Sequence, residues 1–458
     1  MRYDLFGQPT SLESQAALEE WNAAQLAFLA HGAATPKHLG AVLAAEPGFA
    51  LGQAVRGLFM MLLGRREMLG VAAEAQAAAL AGLRQGQVTQ RERLFVEALT
   101  RWIAGRPSAA VEALEQVLAA HPDDVLAMKL GHAIRFVLGD GNGMRASIER
   151  VLPAYAPDHA GRGYLLGCHA FALEETGAYD QAEIAGRQAL WMAPDDAWGL
   201  HAVAHVHDMT CDARAGLDWL DGREAAWAHC NNFRFHVWWH KALMHLDLGQ
   251  VDAVMALYDA EVRKEQTDDY RDISNATSLL ARLELEGVDV GHRWDELAEL
   301  CAARTEDGSL IFADLHYLLA LTASGDAEGT ARLVARIASD GQRQENEAQE
   351  RMADPGLAAA RGLQAFGEGE YGRAFADLAA ARATMQRAGG SHAQRDVFER
   401  ITIDAGLRAG RFDAVEELLN DRRRMRAGRD DQFAAIRRDL ILAGRGDGAA
   451  AWNSVPAQ

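Results

Sequence analysis

Turn-forming residues recur along this chain at a nearly fixed interval, and a period of that length leaves few folds open. Gly105 in AGRPSAA, Gly141 in GDGNGMRA and Gly177 in TGAYDQA are 36 residues apart. Further turns follow at Cys211 (CDARAG), Gly249 (GQVDAV), Gly287, Gly325 (GDAEGT), Gly369 (GEYGRA) and Gly410 (GRFDAV), at intervals of 34 to 44 residues. A proline–aspartate marker keeps step: HPDD at 121–124, APDH at 156–159 and APDD at 193–196. Each unit therefore reads as helix, tight turn, helix, Pro-Asp break. Glycine reaches the left-handed backbone region that closes a helix, and Pro with Asp ends one pair and caps the next. Small residues after the turn, Ala182 and Ala374, allow paired helices to approach closely. The predicted fold is all-α, a right-handed superhelical solenoid of tetratricopeptide-like helix pairs.

One such repeat cannot bury its apolar face alone, but a stack of them buries a continuous core. The expected organisation is a single solenoid over 1–458, with N-terminal repeats in 1–160, central His-rich repeats in 161–330 and C-terminal repeats in 331–445. Composition agrees: 49% of the residues are hydrophobic and only 10 are proline. Alternating β-branched stretches that would form a sheet are missing.

In such a stack the first helix of each pair lines the concave side, and residues thirteen, ten, six and three before the turn point inward. For the unit ending at Cys211 these are Trp198, His201, His205 and Asp208. For the unit ending at Gly249 they are His236, Trp239, Leu243 and Leu246, with His240 one place off. Two neighbouring first helices thus carry an H-x-x-x-H pair, HAVAH at 201–205 and HVWWH at 236–240. Spacing i,i+4 puts both rings of a pair on one face. The unit ending at Gly325 adds Asp314 and His316 beside Phe312, Leu315 and Leu319. Of the 16 histidines, seven fall between His201 and His245, a concentration that a groove spread along many repeats does not call for.

Three uses of these residues compete. They pack and hydrogen-bond inside the solenoid; they line a pocket for a small polar molecule or short peptide, with Trp239 as a wall; or they form a metal or acid–base centre. In the last case His201, His205, His236 and His240 are the candidate ligands of a divalent transition metal, and His201, His205, Asp208 and His240 the candidate catalytic groups, with Asp208 or Asp314 orienting an imidazole. The zincin motif H-E-x-x-H is absent. A plain protein-interaction scaffold is the remaining alternative.

The chain resembles the tetratricopeptide repeat protein 38 family over nearly its whole length. The resemblance rests on RERLFVEAL at 91–99, HPDDVLAMKLGHA at 121–133, YDQAEIAGRQALWMAPDDAWGLHAVAHVHDM at 179–209, FHVWWHKAL at 235–243, LYDAEV at 257–262, LLARLELEGVDVGHRWDEL at 279–297, FADLHYLLA at 312–320 and GGSHAQRDVF at 389–398. It implies the repeat fold and a shared set of polar inner residues, not a reaction. His201, His205, His207, His236, Trp239, His240, Asp314, His316, Gln394, Arg395 and Asp396 all fall inside these stretches. The Gln394–Arg395–Asp396 trio is either a buried ion-pair network or an anion clamp, since arginine grips carboxylate or phosphate bidentately. Where the family pattern is CHxxWH-like, Phe235 stands in place of the cysteine.

The formal net charge is −19. An acidic chain repels phosphate backbones, so nucleic acid is not expected as a partner. The run Arg422, Arg423, Arg424, Arg426, Arg429 reads as a solvated helix face. The apolar stretch from Gly48 to Gly64 contains Gln53 and Arg56, so no membrane association is expected. The N-terminus lacks a secretory pattern. Cys168, Cys211, Cys230 and Cys301 match no CxxC pair, so the expected setting is cytoplasmic, with homo-oligomerisation left open.

Overall fold

The computed structural model describes residues 2–85 and 88–446; the last positions of the expected solenoid lie outside the described residues. The fold is all-α and tetratricopeptide-like. Its strands are two-residue pieces, Arg2–Tyr3 and Pro9–Thr10, paired antiparallel.

The turns confirm the repeat at atomic level. Gly105, Gly139, Gly177, Gly249, Gly287, Gly325, Gly369 and Gly410 all have positive φ, and so does Cys211 at +55°. At each turn the amide after the left-handed residue reaches back five positions, as in Ala178 N to Leu173 O, Asp212 N to His207 O and Gln250 N to His245 O, each at 2.9 Å. This is the Schellman closure, which satisfies a carbonyl the helix end would leave unpaired. One expected turn residue shifts. Gly139, not Gly141, is left-handed, because Asp140 already caps the next helix by accepting from Gly143 N at 2.8 Å.

Two of the three Pro-Asp markers cap as expected, while after APDH the helix Arg162–Glu175 starts at Gly161 without a side-chain cap. Asp124 accepts from Ala127 N at 3.0 Å at the start of Val125–Leu138, and Asp196 accepts from Gly199 N at 3.1 Å at the start of Ala197–Met209. Ala182 and Ala374 are fully buried against their partner helices.

The chain divides into two compact units. Unit one comprises 1–203, 222–234 and 345–347; unit two comprises 204–221, 235–344 and 348–458. In unit one Arg162–Glu175 pairs with Tyr179–Met192, and Gln90–Ile103 with Pro107–Ala120. In unit two Tyr270–Leu285 lies against Ile311–Ala323, which in turn contacts Leu357–Gly367, so first helix stacks on first helix. An apolar core with Trp239, Ile273, Leu279, Tyr317 and Phe398 runs through these helices. The four cysteines are free thiols. Among the described residues no helix is long and apolar enough to cross a membrane.

Candidate functional site

Three helices build a polar cluster in unit two. Ala197–Met209 supplies His205, Phe233–Asp247 supplies His236, Trp239 and His240, and Tyr270–Leu285 supplies Asn275, Ser278 and Arg282. Tyr270–Leu285 is buried along most of its length, so its Asn275, Ser278 and Arg282 are carried inside. His205, Trp239 and His240 are fully buried, while His236 is half-buried.

One ring nitrogen each from His205, His236 and His240 lies within 4.8 Å of the others. The His205 and His240 rings are 4.3 Å apart between centroids, and Nε2 of His240 is 3.3 Å from Nε2 of His236. Nδ1 of His236 is 2.8 Å from Oδ1 of Asn275. With Nδ1–H donating there, the lone pair of His236 Nε2 points at His240; the tautomer is assigned from this hydrogen bond. Trp239 stacks on His236 at 5.1 Å and 15°, and its indole N–H donates to Ser278 Oγ at 3.1 Å. On the indole also rests the Arg282 guanidinium, 5.4 Å from the ring centre.

Burial disfavours the charged imidazolium. It draws His236 down to about 3 against the help of Asn275. Burial holds His240 well below its ordinary value, and the neighbouring His205, His236 and Arg282 push the same way. Neutral, pre-oriented imidazoles are the form that ligates a metal or accepts a proton.

Each of the other expected site residues has further partners of its own. His201 belongs to unit one, where its ring packs on Phe171, Trp198 and Phe233. Asp208, expected to orient an imidazole, is instead held by Arg426, whose guanidinium donates to the Asp208 carbonyl at 3.0 Å and lies 3.4 Å from its carboxylate; Asn275 does the orienting. Asp314 faces Arg336 at 2.5 Å, and burial still raises it to about 6. His316 bonds its own helix, Nδ1 to Phe312 O at 2.7 Å, between the rings of Phe312 and Phe398. Gln394 completes a capping box with Ser391 at the start of His392–Arg408. Arg395 is buried and donates to the carbonyls of Gly389 and Gly390.

Asp396 opens a buried ion-pair network, one of the two readings its trio offered in the sequence, with partners that sequence reasoning did not name. Its carboxylate has Arg400 at 2.6 Å, Arg422 at 2.9 Å, Arg426 at 3.4 Å and Arg282 at 4.0 Å. Asp431 accepts a two-pronged grip from Arg422, at 2.7 and 2.6 Å, and a further bond from Arg400 at 3.2 Å. The expectation of a solvated arginine face is therefore corrected. Arg422 and Arg426 are one helical turn apart and buried, and only Arg423, Arg424 and Arg429 face water. Although burial opposes it, the surrounding arginines hold Asp396 and Asp431 well below the usual carboxylate range.

No known protein-family model matches the chain. Solved structures with a similar course include the human IFIT1 dimer with m7Gppp-AAAA, 13% identical, covering 86% of this chain and 90% of that one at a TM-score of 0.40. Another is the human IFIT1 dimer with PPP-AAAA, 14% identical, covering 97% and 98% at a TM-score of 0.41. At this identity and TM-score the likeness assigns no ligand to this chain. One expectation is nonetheless corrected: nucleic acid is not excluded as a partner class. Both matched structures hold a nucleotide ligand, and the net charge of this chain hides a local concentration of buried guanidiniums in unit two.

Proposed function

We propose that this chain binds a small polar molecule at the imidazole cluster of unit two, through a divalent transition metal held by His205, His236 and His240. The observation that supports this is the convergence of three imidazole nitrogens within 4.8 Å. Asn275 serves as the outer partner that fixes His236, the usual support for a ligating histidine, and Trp239 forms a wall beside it. The resemblance to the tetratricopeptide repeat protein 38 family and a cytoplasmic setting belong to the same reading; a reducing compartment keeps the four thiols as they are.

The test is metal content. Protein dialysed against Zn²⁺ or Co²⁺ at pH 7.5 and then desalted is expected to retain metal, and the Co²⁺ form to show ligand-field absorption. His240→Ala and His205→Ala lose both signals with unchanged far-ultraviolet circular dichroism. His316→Ala, whose ring is hydrogen-bonded elsewhere, keeps them. Equal metal retention in all four proteins, or none in any, removes the site and leaves a scaffold.

A further inference from the structure

The segment Arg2–Leu12 lies ahead of the helix Gln15–Leu29 and is non-helical. It folds as a hairpin within unit one, and its side chains alternate. Asp4, Phe6, Gln8, Thr10 and Leu12 are buried, while Tyr3 and Leu5 face water. Its seat is formed by the starts of three successive first helices. The Asp4 carboxylate is 3.9 Å from Arg91, and Ser11 N donates to Glu92 at 2.9 Å, both on the first turn of Gln90–Ile103. The Gln8 amide donates to Asp123 at 2.8 Å, just before Val125–Leu138. Phe6 stacks on His159 at 6.2 Å and 24°, just before Arg162–Glu175. From Gln15–Leu29, Asn22 accepts from Leu5 N at 2.9 Å. Side chains of the seat thus engage a carboxylate, a ring, an amide and two backbone N–H groups of one short segment, as a peptide-binding surface does.

The fit is incomplete. Asp4 stands off Arg91 because its oxygens serve the turn amides of Phe6 and Gln8 and the side chain of Gln25, at 3.0, 2.9 and 3.2 Å. Arg91 Nη1, the Tyr155 hydroxyl and the Gln8 side-chain oxygen are buried with no hydrogen-bond partner among the described residues. The Tyr155 ring meets His159 at 4.8 Å between centroids, so it belongs to the same wall. Buried polar groups left unmet favour an occupant that satisfies them.

We propose that this seat is the docking site for a peptide segment of another protein, and that Arg2–Leu12 holds the place until that segment displaces it. The partner segment carries an acidic residue, an aromatic residue two positions on and a side-chain amide four positions on. Its carboxylate takes the position of Asp4, so the seat gains no charge. A glutamate there is one methylene longer than Asp4 and offers Arg91 Nη1 the acceptor it lacks. The seat lies in unit one, uses none of the imidazoles of unit two and stands independently of the metal reading.

The probes are a fluorescent peptide of the chain's own sequence from Arg2 to Leu12 and the same peptide with Asp4→Glu; anisotropy reads their binding to the full chain. The tethered segment competes at high effective concentration, so the full-chain variant Phe6→Ala, whose own segment is loosened, should bind either peptide roughly tenfold more tightly than the wild type. The Asp4→Glu peptide should bind more tightly than the unmodified one. His159→Ala added to Phe6→Ala should remove the gain. Should Phe6→Ala fail to fold, hydrogen exchange on the wild type decides: excess Asp4→Glu peptide should speed exchange at Leu5 and Ser11, whose amides the seat holds. Equal binding by wild type and folded Phe6→Ala, a gain that survives His159→Ala, or exchange at Leu5 and Ser11 untouched by the peptide overturns the proposal. So does a wild-type dimer that the peptide splits, which would make the occupant a second copy of this chain.

Discussion

Unit two buries polar groups in two ways. Around His236 and His240 the interior removes charge: burial draws both imidazoles below their ordinary value, while single hydrogen bonds fix His236 on Asn275 and Trp239 on Ser278. Around Asp396 and Asp431 the interior keeps charge, and each carboxylate is held ionised by several guanidiniums. The Phe433 ring lies under two of these cations, Arg400 and Arg422, at 4.5 and 5.5 Å, and under Arg437, which pairs with Asp404 and Glu286, at 4.0 Å. Removing one member of the first arrangement strands no buried charge. The second is a mutual arrangement that fails when one partner goes.

The sharpest way to break this contrast is Asp431→Ala. It leaves Arg422 and Arg400 to share Asp396 and removes the cap on Ala434 N. The expected cost is about 3–5 kcal/mol, read by urea denaturation; a loss below about 1 kcal/mol would mean the network is held by solvent.

Acid separates the two regions next. A histidine whose folded pKa is depressed contributes stability that is complete above the unfolded value, near 6.5, and lost as pH falls toward the folded value. His240 is held well below its ordinary value, so His240→Phe should recover part of the stability that the wild type loses as pH falls below about 6.5. Asp396 and Asp431 have depressed values, and their contribution is lost only below the unfolded value near 3.8. Asp314, raised to about 6, acts in the opposite direction from the histidines, because its protonation on acidification favours the folded state. The comparison of variant with wild type therefore carries the result.

A smaller effect tests orientation. Asn275→Ala should weaken metal retention by about 10–100-fold, as expected for loss of an outer partner, with little change in unfolding midpoint. The smallest effect concerns Gln394. Its alanine variant should lose roughly 0.5–1 kcal/mol of helix capping and retain metal as the wild type does. A binding defect there would return Gln394 to the site.

The repeat was legible because each turn demands a left-handed residue, and glycine supplies it at all but Cys211. Gly141 was misjudged because two glycines flank Asp140 and only its capping bond tells which one turns. The histidine pairs were legible because i,i+4 spacing is a property of one helix. Asn275 and Ser278 were not, because a lone Asn or Ser acquires meaning only from a partner in another repeat, here 39 residues earlier. The inward rule applied to the unit ending at Gly287 comes within one position of both. The arginine run failed for a related reason. Its helix turns Arg422 and Arg426 inward, but the carboxylates that make their burial tolerable come from Asp396 and from Asp431 beyond the helix end.

That same run has a practical reading for an enzyme that cleaves after arginine. Arg423 and Arg424 are exposed yet lie inside the helix Phe412–Met425, whose backbone a protease cannot thread through its cleft until the turn unravels. Unravelling that turn pulls Arg422 and Arg426 from their carboxylates. The rate of tryptic nicking at 422–426 is therefore a clock for local opening of the network.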